Sequence, residues 1–166
     1  NPQRNIIKAM SLNPDGIIIN LPSNDAAKNV SITTQLDNYK SILSDAGDVP
    51  VWITTTQPRN LSESGRKSLR SFRDTTFALW KDKAIDFWSD VAMEDGNINP
   101  KYNSGDNVHL NNKAHALFAK RVIDKKIAEY LSKKTVTIVT LSKNIQLHGQ
   151  FLNLPHQEQA AVNRVF

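Results

Sequence analysis

Gly16-Ile17-Ile18-Ile19-Asn20-Leu21-Pro22-Ser23-Asn24-Asp25 is the stretch from which the architecture of this chain is read. An apolar run closed by proline reads as a buried strand of a parallel sheet, because a strand covered on both faces needs no polar alternation. Asn24 and Asp25 follow at once, and open α/β sheets keep their binding crevice at the carboxyl ends of strands. There the side-chain NH₂ of Asn24 can donate to an oxyanion, one of the larger single contributions in acyl-transfer catalysis. The same pair also suits an ordinary turn, since Asn and Asp hydrogen-bond their local backbone.

The segments on either side alternate helix and strand. Ile6, Ile7, Ala9 and Met10 form one apolar face of a short helix, which Asn13-Pro14 stops because the residue before proline is pushed out of the α region. After the strand, Leu36, Tyr39, Ile42, Leu43 and Ala46 give a helix over 33–46 its face, and Gly47 suits its end. Val51 to Thr55 is the next strand. Ser62 caps a long helix in which Leu69, Phe72, Thr76, Phe77 and Trp80 share a face. Ala84 to Phe87 is a short third strand, and Asn111 caps a last helix reaching about Leu131. This alternation predicts an α/β fold, a doubly wound parallel sheet with helices on both faces. Three strands are few for that architecture, and the series opens on a helix. Either the first strands are missing, which leaves strand edges unpaired and the chain poorly stable alone, or the domain is complete and unusual.

A second chemical element lies far downstream, in Asp106-Asn107-Val108-His109-Leu110. A carboxylate three residues before an imidazole lets both side chains converge from one short loop. Asp106 can then bond the Nδ1–H of His109, fix its tautomer and stabilise the imidazolium formed when His109 accepts a proton. A nucleophilic hydroxyl is the usual beneficiary of such a pair. Two polar loop residues also reach this spacing by chance, since the pattern is only four residues long.

Together the two elements resemble the SGNH (GDSL-type) serine esterase family. Its Gly-x-Asn-Asp block is matched by Pro22-Ser23-Asn24-Asp25 and its Asp-x-x-His block by Asp106 to His109. The similarity runs from about Ile6 to Leu131. The resemblance implies a flavodoxin-like sheet, His109 as general base, Asp106 as its orienting partner and Asn24 as an oxyanion donor, with no cofactor. Pro22 departs from the family glycine, and a proline has no backbone N–H to donate. The Gly-Asp-Ser block that carries the family's nucleophile occurs nowhere in the 166 residues. Ser104 belongs to the His109 loop, Ser23 reads as a loop residue, and the family's second oxyanion glycine has no candidate. The expectation is a partial hydrolase domain over 1–133 whose first strands and serine lie upstream, inactive by itself. The implied substrate is a small-molecule or polysaccharide ester, acetylated carbohydrate first among them, in a secreted or cell-surface setting. Two alternatives share the fold: a non-catalytic carbohydrate- or protein-binding module, and a transferase that passes the acyl group to another alcohol.

Composition bounds the remaining choices. With 39% hydrophobic and 22% charged residues the chain can bury a real core, and no apolar run approaches a membrane span. The absence of cysteine excludes disulfides, thiolate metal sites and a cysteine nucleophile. The net charge of +5 sits mainly on helices, on Arg66, Lys67, Arg70 and Arg73 and again from Lys113 to Lys134. Phe72, Phe77, Trp80 and Phe118 fall on the apolar faces instead, so a basic surface interleaved with exposed aromatics is lacking and no nucleic-acid partner is expected. His115 is badly spaced from His109 for shared metal ligation, and no metal site is expected. Thr56, Gln57 and Arg59 follow the second strand, where substrate contact and a capped turn fit equally. Trp88 either lines the substrate pocket or closes the core. Residues 134–166, with the β-branched stretch Thr135 to Leu141, read as a linker or the start of a further β-rich module, or else as an extra strand and tail docked on the hydrolase.

Overall fold

The computed structural model describes residues 5–21 and 23–133. Pro22 and the expected module at 134–166 lie outside the described residues. The chain divides into two units, Asn1–Ile127 and Ala128–Phe166, and of the second the described residues 128–133 are helical.

Three parallel strands, β1 (Ile17–Ile19), β2 (Val51–Thr54) and β3 (Ala84–Ile85), form a sheet in the order β1-β2-β3. Ile17 pairs with Val51, Ile19 with Ile53, and Ile53 with Ala84. Because side chains alternate along a strand, Ile17, Ile19, Val51 and Ile53 share one face. Against that face pack Ile6 of helix α1 (Ile6–Met10), Tyr39 and Ala46 of α3 (Ile32–Ala46), and Phe72 of α4 (Glu63–Trp80). Tyr39 sits between the α4 aromatics, 5.4 Å from Phe72 and 5.6 Å from Trp80 between ring centroids. Each large apolar side chain fully buried here contributes about 1.5–3 kcal/mol. The last helix, α5 (Asn112–Asp124), runs beside β3: Phe118 stacks on Phe87 with centroids 4.0 Å apart, and Arg121 donates to the Asp86 and Ser89 carbonyls. The expected α/β architecture with a partial parallel sheet is therefore present.

Local chemistry trims several expected boundaries. The first strand covers only Ile17–Ile19, and Asn24, expected in a crevice loop, opens a single helical turn, α2 (Asn24–Ala27). The third strand stops at Ile85 because the Asp86 carboxylate accepts the Trp88 and Ser89 amides at 2.8 and 3.0 Å, turning the chain away. The last helix breaks at Lys125–Lys126, where Lys126 takes a φ of 52°, before helix resumes over 127–133. Phe77 leaves the buried face of α4 and is exposed. The Ser62 and Asn111 caps form as expected, with Ser62 accepting the Gly65 amide and Asn111 accepting those of Lys113 and Ala114.

Candidate active site

The loop from Asn103 to Leu110 is built by short-range polar bonds. Asn103 and Leu110 form an antiparallel bridge that closes its neck. Inside it the Asn103 side-chain carbonyl accepts the Gly105 amide at 2.9 Å and the Asn107 amide at 3.2 Å. Gly105 has a φ of 112°, a backbone state that side chains rarely adopt, although a Cβ there would meet nothing within 4 Å. Its glycine is thus required by conformation and not by space. Asn111 serves twice, capping α5 while its amide donates to the carbonyls of Lys101 and Asn103.

This scaffold brings Asp106 and His109 together. Asp106 Oδ2 lies 2.5 Å from His109 Nδ1, while Oδ1 accepts the His109 amide at 2.7 Å, the Val108 amide at 2.9 Å and the Ser104 hydroxyl at 3.0 Å. The His109 backbone amide, the His109 ring and the Val108 amide hold the Asp106 carboxyl well below the usual carboxylate range. An ionised Asp106 can only accept, so Nδ1 must carry the proton of the shared bond. In the neutral ring the lone pair then lies on Nε2, where a general base needs it. The imidazole is 75% exposed, so Nε2 is not walled in by the described residues. Ser104 spends its hydroxyl on Asp106, and among the described residues no hydroxyl is bonded to the His109 ring.

Asn24 is exposed at the start of α2. Its Oδ1 accepts from Arg59 Nη1 at 3.0 Å. A guanidinium has no acceptor, so this bond assigns the oxygen and turns the Asn24 NH₂ the other way. The turn beneath is well anchored. Buried Tyr39 makes a hydrogen bond to the Leu21 backbone; burial, then the nearby Asp25 charge, raises its hydroxyl pKa above the ordinary tyrosine value despite that bond. Trp88 is buried with Ala26 of α2 and Leu69 of α4, under the turn that carries Asn24.

The segment after β2 joins these two parts. Thr54 donates to Asn20 at 3.0 Å, and Thr55 accepts the Phe87 amide at 2.8 Å, which ties the ends of all three strands. Thr56 is buried and Gln57 half-buried, and neither is brought to the Asp106–His109 pair by a hydrogen bond. Arg59 reaches Asn24, and the next residue, Asn60, reaches the dyad loop. Asn60 donates from its amide to Asn107 Oδ1 at 3.0 Å and from its backbone to the Asn107 carbonyl at 3.1 Å. Asn60 Oδ1 accepts the Ile98 amide at 2.7 Å. Sequence reading missed Asn60, Asn103 and Asn107. The density of Asn, Ser, Gly and Asp over 103–107 signals a loop held by side-chain turns, but nothing local to Asn60 marks it.

Two concavities lie apart from these residues. One of about 280 Å³ is lined by residues including Asp86 and Arg121, and one of about 650 Å³ by residues including Asp90 and Tyr102. Neither reaches His109 or Asn24. Among the described residues no group of three or more His, Asp or Glu side chains could hold a metal ion, and no helix is long and apolar enough to cross a membrane.

No family model matches the sequence, and no curated protein does. Solved structures do match in shape. A protein from Bacteroides fragilis described as an acylhydrolase superposes with a TM-score of 0.62 at 21% identity, over 74% of this chain and 65% of its own. A GDSL-like lipase from Bacteroides thetaiotaomicron superposes with a TM-score of 0.61 at 20% identity, over 73% of this chain and 65% of its own. This chain therefore shares the α/β fold of these two structures and spans 65% of the length of each.

Proposed function

We propose that this chain supplies the base and the oxyanion donor of a serine ester hydrolase, and that the nucleophilic serine is carried on a segment N-terminal to Asn1. The observation that carries this reading is the ionised Asp106 bonded to Nδ1 of an exposed imidazole, which leaves Nε2 as an acceptor. The shared fold with a GDSL-like lipase and an acylhydrolase supports it. So does the outer edge of β1, which among the described residues pairs with β2 alone; Ile18 in that strand is 43% exposed. An unpaired apolar strand edge suits a further strand.

In this mechanism His109 Nε2 takes the serine proton as the serine oxygen attacks the ester carbonyl. Asp106 stabilises the imidazolium without taking the proton. Asn24 donates from its NH₂ to the tetrahedral oxyanion. The intermediate collapses, His109 returns the proton to the departing alcohol, and a water molecule repeats the cycle on the acyl-enzyme. No metal or cofactor is required. The open imidazole leaves room for a bulky leaving alcohol, and acetylated polysaccharide is the first class to test.

A second reading, a binding module on the same fold, is favoured by one observation: no serine hydroxyl meets the His109 ring among the described residues. Turnover of p-nitrophenyl acetate and acetylated xylan by the complete protein separates the two. Hydrolysis that disappears in His109→Ala is expected. Near-normal turnover in that variant removes the base from the mechanism, and no turnover in the parent favours the binding module. Residues 1–166 alone are expected to release no acetate.

A further inference from the structure

Arg59 stands beside Asn24 in the proposed site, and what it holds there is the amide oxygen. Among the described residues it has no carboxylate partner, and its Nε is buried without an acceptor. The hydrogen bond it does make, from Nη1, goes to Asn24 Oδ1 at 3.0 Å. Its neighbour Asn60 is clamped from three directions, by Ile98 and twice by Asn107. The backbone beside Arg59 is therefore anchored, and among the described residues the group its guanidinium holds is the Asn24 amide.

An asparagine amide presents either its oxygen or its NH₂ to a given direction, and an oxyanion tolerates only the NH₂. A cation held on Oδ1 blocks the flipped state, because there two sets of donors would face each other. It also polarises the amide, which strengthens donation from the opposite end. We propose that Arg59 is a positioning residue, which locks and polarises the Asn24 amide for oxyanion binding and does not itself touch substrate. This rests on the reading of Asn24 as the oxyanion donor. It reassigns Arg59 from substrate contact to support.

The test is a double-mutant cycle in the complete protein, with kcat and KM for p-nitrophenyl acetate measured in Arg59→Met, Asn24→Ala and the double variant. Arg59→Met is expected to lower kcat on the order of 10-fold with KM little changed, since a charge-assisted bond is lost only behind the transition state. In the Asn24→Ala background the same change is expected to cost less than about 2-fold, because residues acting through one another are not additive. Arg59→Lys, which keeps charge and one donor, is expected to recover part of kcat. The Asn24 side-chain amide resonances should shift in Arg59→Met while those of Asn103 stay in place. Additive losses, or an unmoved Asn24 amide, overturn the proposal and leave the hydrolase reading intact. Unchanged turnover in Asn24→Ala removes the oxyanion role and this proposal together, and His109→Ala in the same assay then reports whether the base survives.

Discussion

The two flanks of the sheet are finished to different degrees. On the β3 side Ile85, Val91 and Ile98 are completely or almost completely buried, and α5 is fastened by Arg121 to the Asp86 and Ser89 carbonyls and to the Asp90 carboxylate. On the β1 side Ile7, Leu12, Ile18 and Leu21 are all exposed, and among the described residues the strand has a partner on one edge. The Asp106–His109 loop belongs to the finished side, where Asn60 bonds it and Asn111 ties it to the start of α5. Asn24 follows β1 and is held by Arg59, which follows the neighbouring strand β2. The Asp106–His109 pair is thus held by bonds within its own loop and from Asn60, whereas among the described residues the outer edge of β1, the strand before Asn24, is open. Scattered surface apolar residues need no explanation, but a strand edge and four large side chains on neighbouring elements call for one.

Substitutions on the two flanks should separate them sharply. Ile85 is 0% exposed, so Ile85→Ala leaves a cavity and is expected to cost about 2–5 kcal/mol in urea unfolding of this chain. Ile18→Thr on the open flank is expected to change that stability by no more than about 0.5 kcal/mol, as surface substitutions do. In the complete protein, with a strand paired on β1, the Ile18 change should become clearly destabilising. A cost that stays negligible there would contradict the covered edge.

The smallest expected effect is a titration, which asks whether the dyad loop is built without help from the open side. The Asp106 carboxyl is depressed in the folded chain by the His109 and Val108 bonds. A group depressed on folding adds stability that is fully present above its unfolded value, near pH 4, and is lost as pH falls through the folded value. The carboxyl ¹³C resonance of Asp106 should therefore titrate at lower pH than the exposed, unbonded carboxylates of this chain. An ordinary midpoint would mean that the loop is not preformed.

Alternation of apolar segments was enough to read the parallel sheet, and the spacing of Asp106 and His109 was enough to pair them, because both depend on local geometry. Ser62 and Asn111 were legible for the same reason: a cap acts within three residues of itself. The remainder depends on distant partners. Asn60 is 47 residues from Asn107 and Arg59 is 35 from Asn24, and no pattern in either segment encodes those contacts. Asp86 ends β3 through an Asx turn hidden in an otherwise strand-like run. The helix break at Lys125–Lys126 was illegible because lysine is itself a good helix former.

Covalent trapping tests the central assignment most directly. The complete protein is treated with diethyl p-nitrophenyl phosphate, and the modified residue is found by peptide mass spectrometry. One serine N-terminal to Asn1 is expected to carry the diethylphosphoryl group, with labelling abolished in His109→Ala. Absence of an adduct, or labelling at an equal rate without His109, would contradict the assignment of the Asp106–His109 pair as the base of a serine hydrolase.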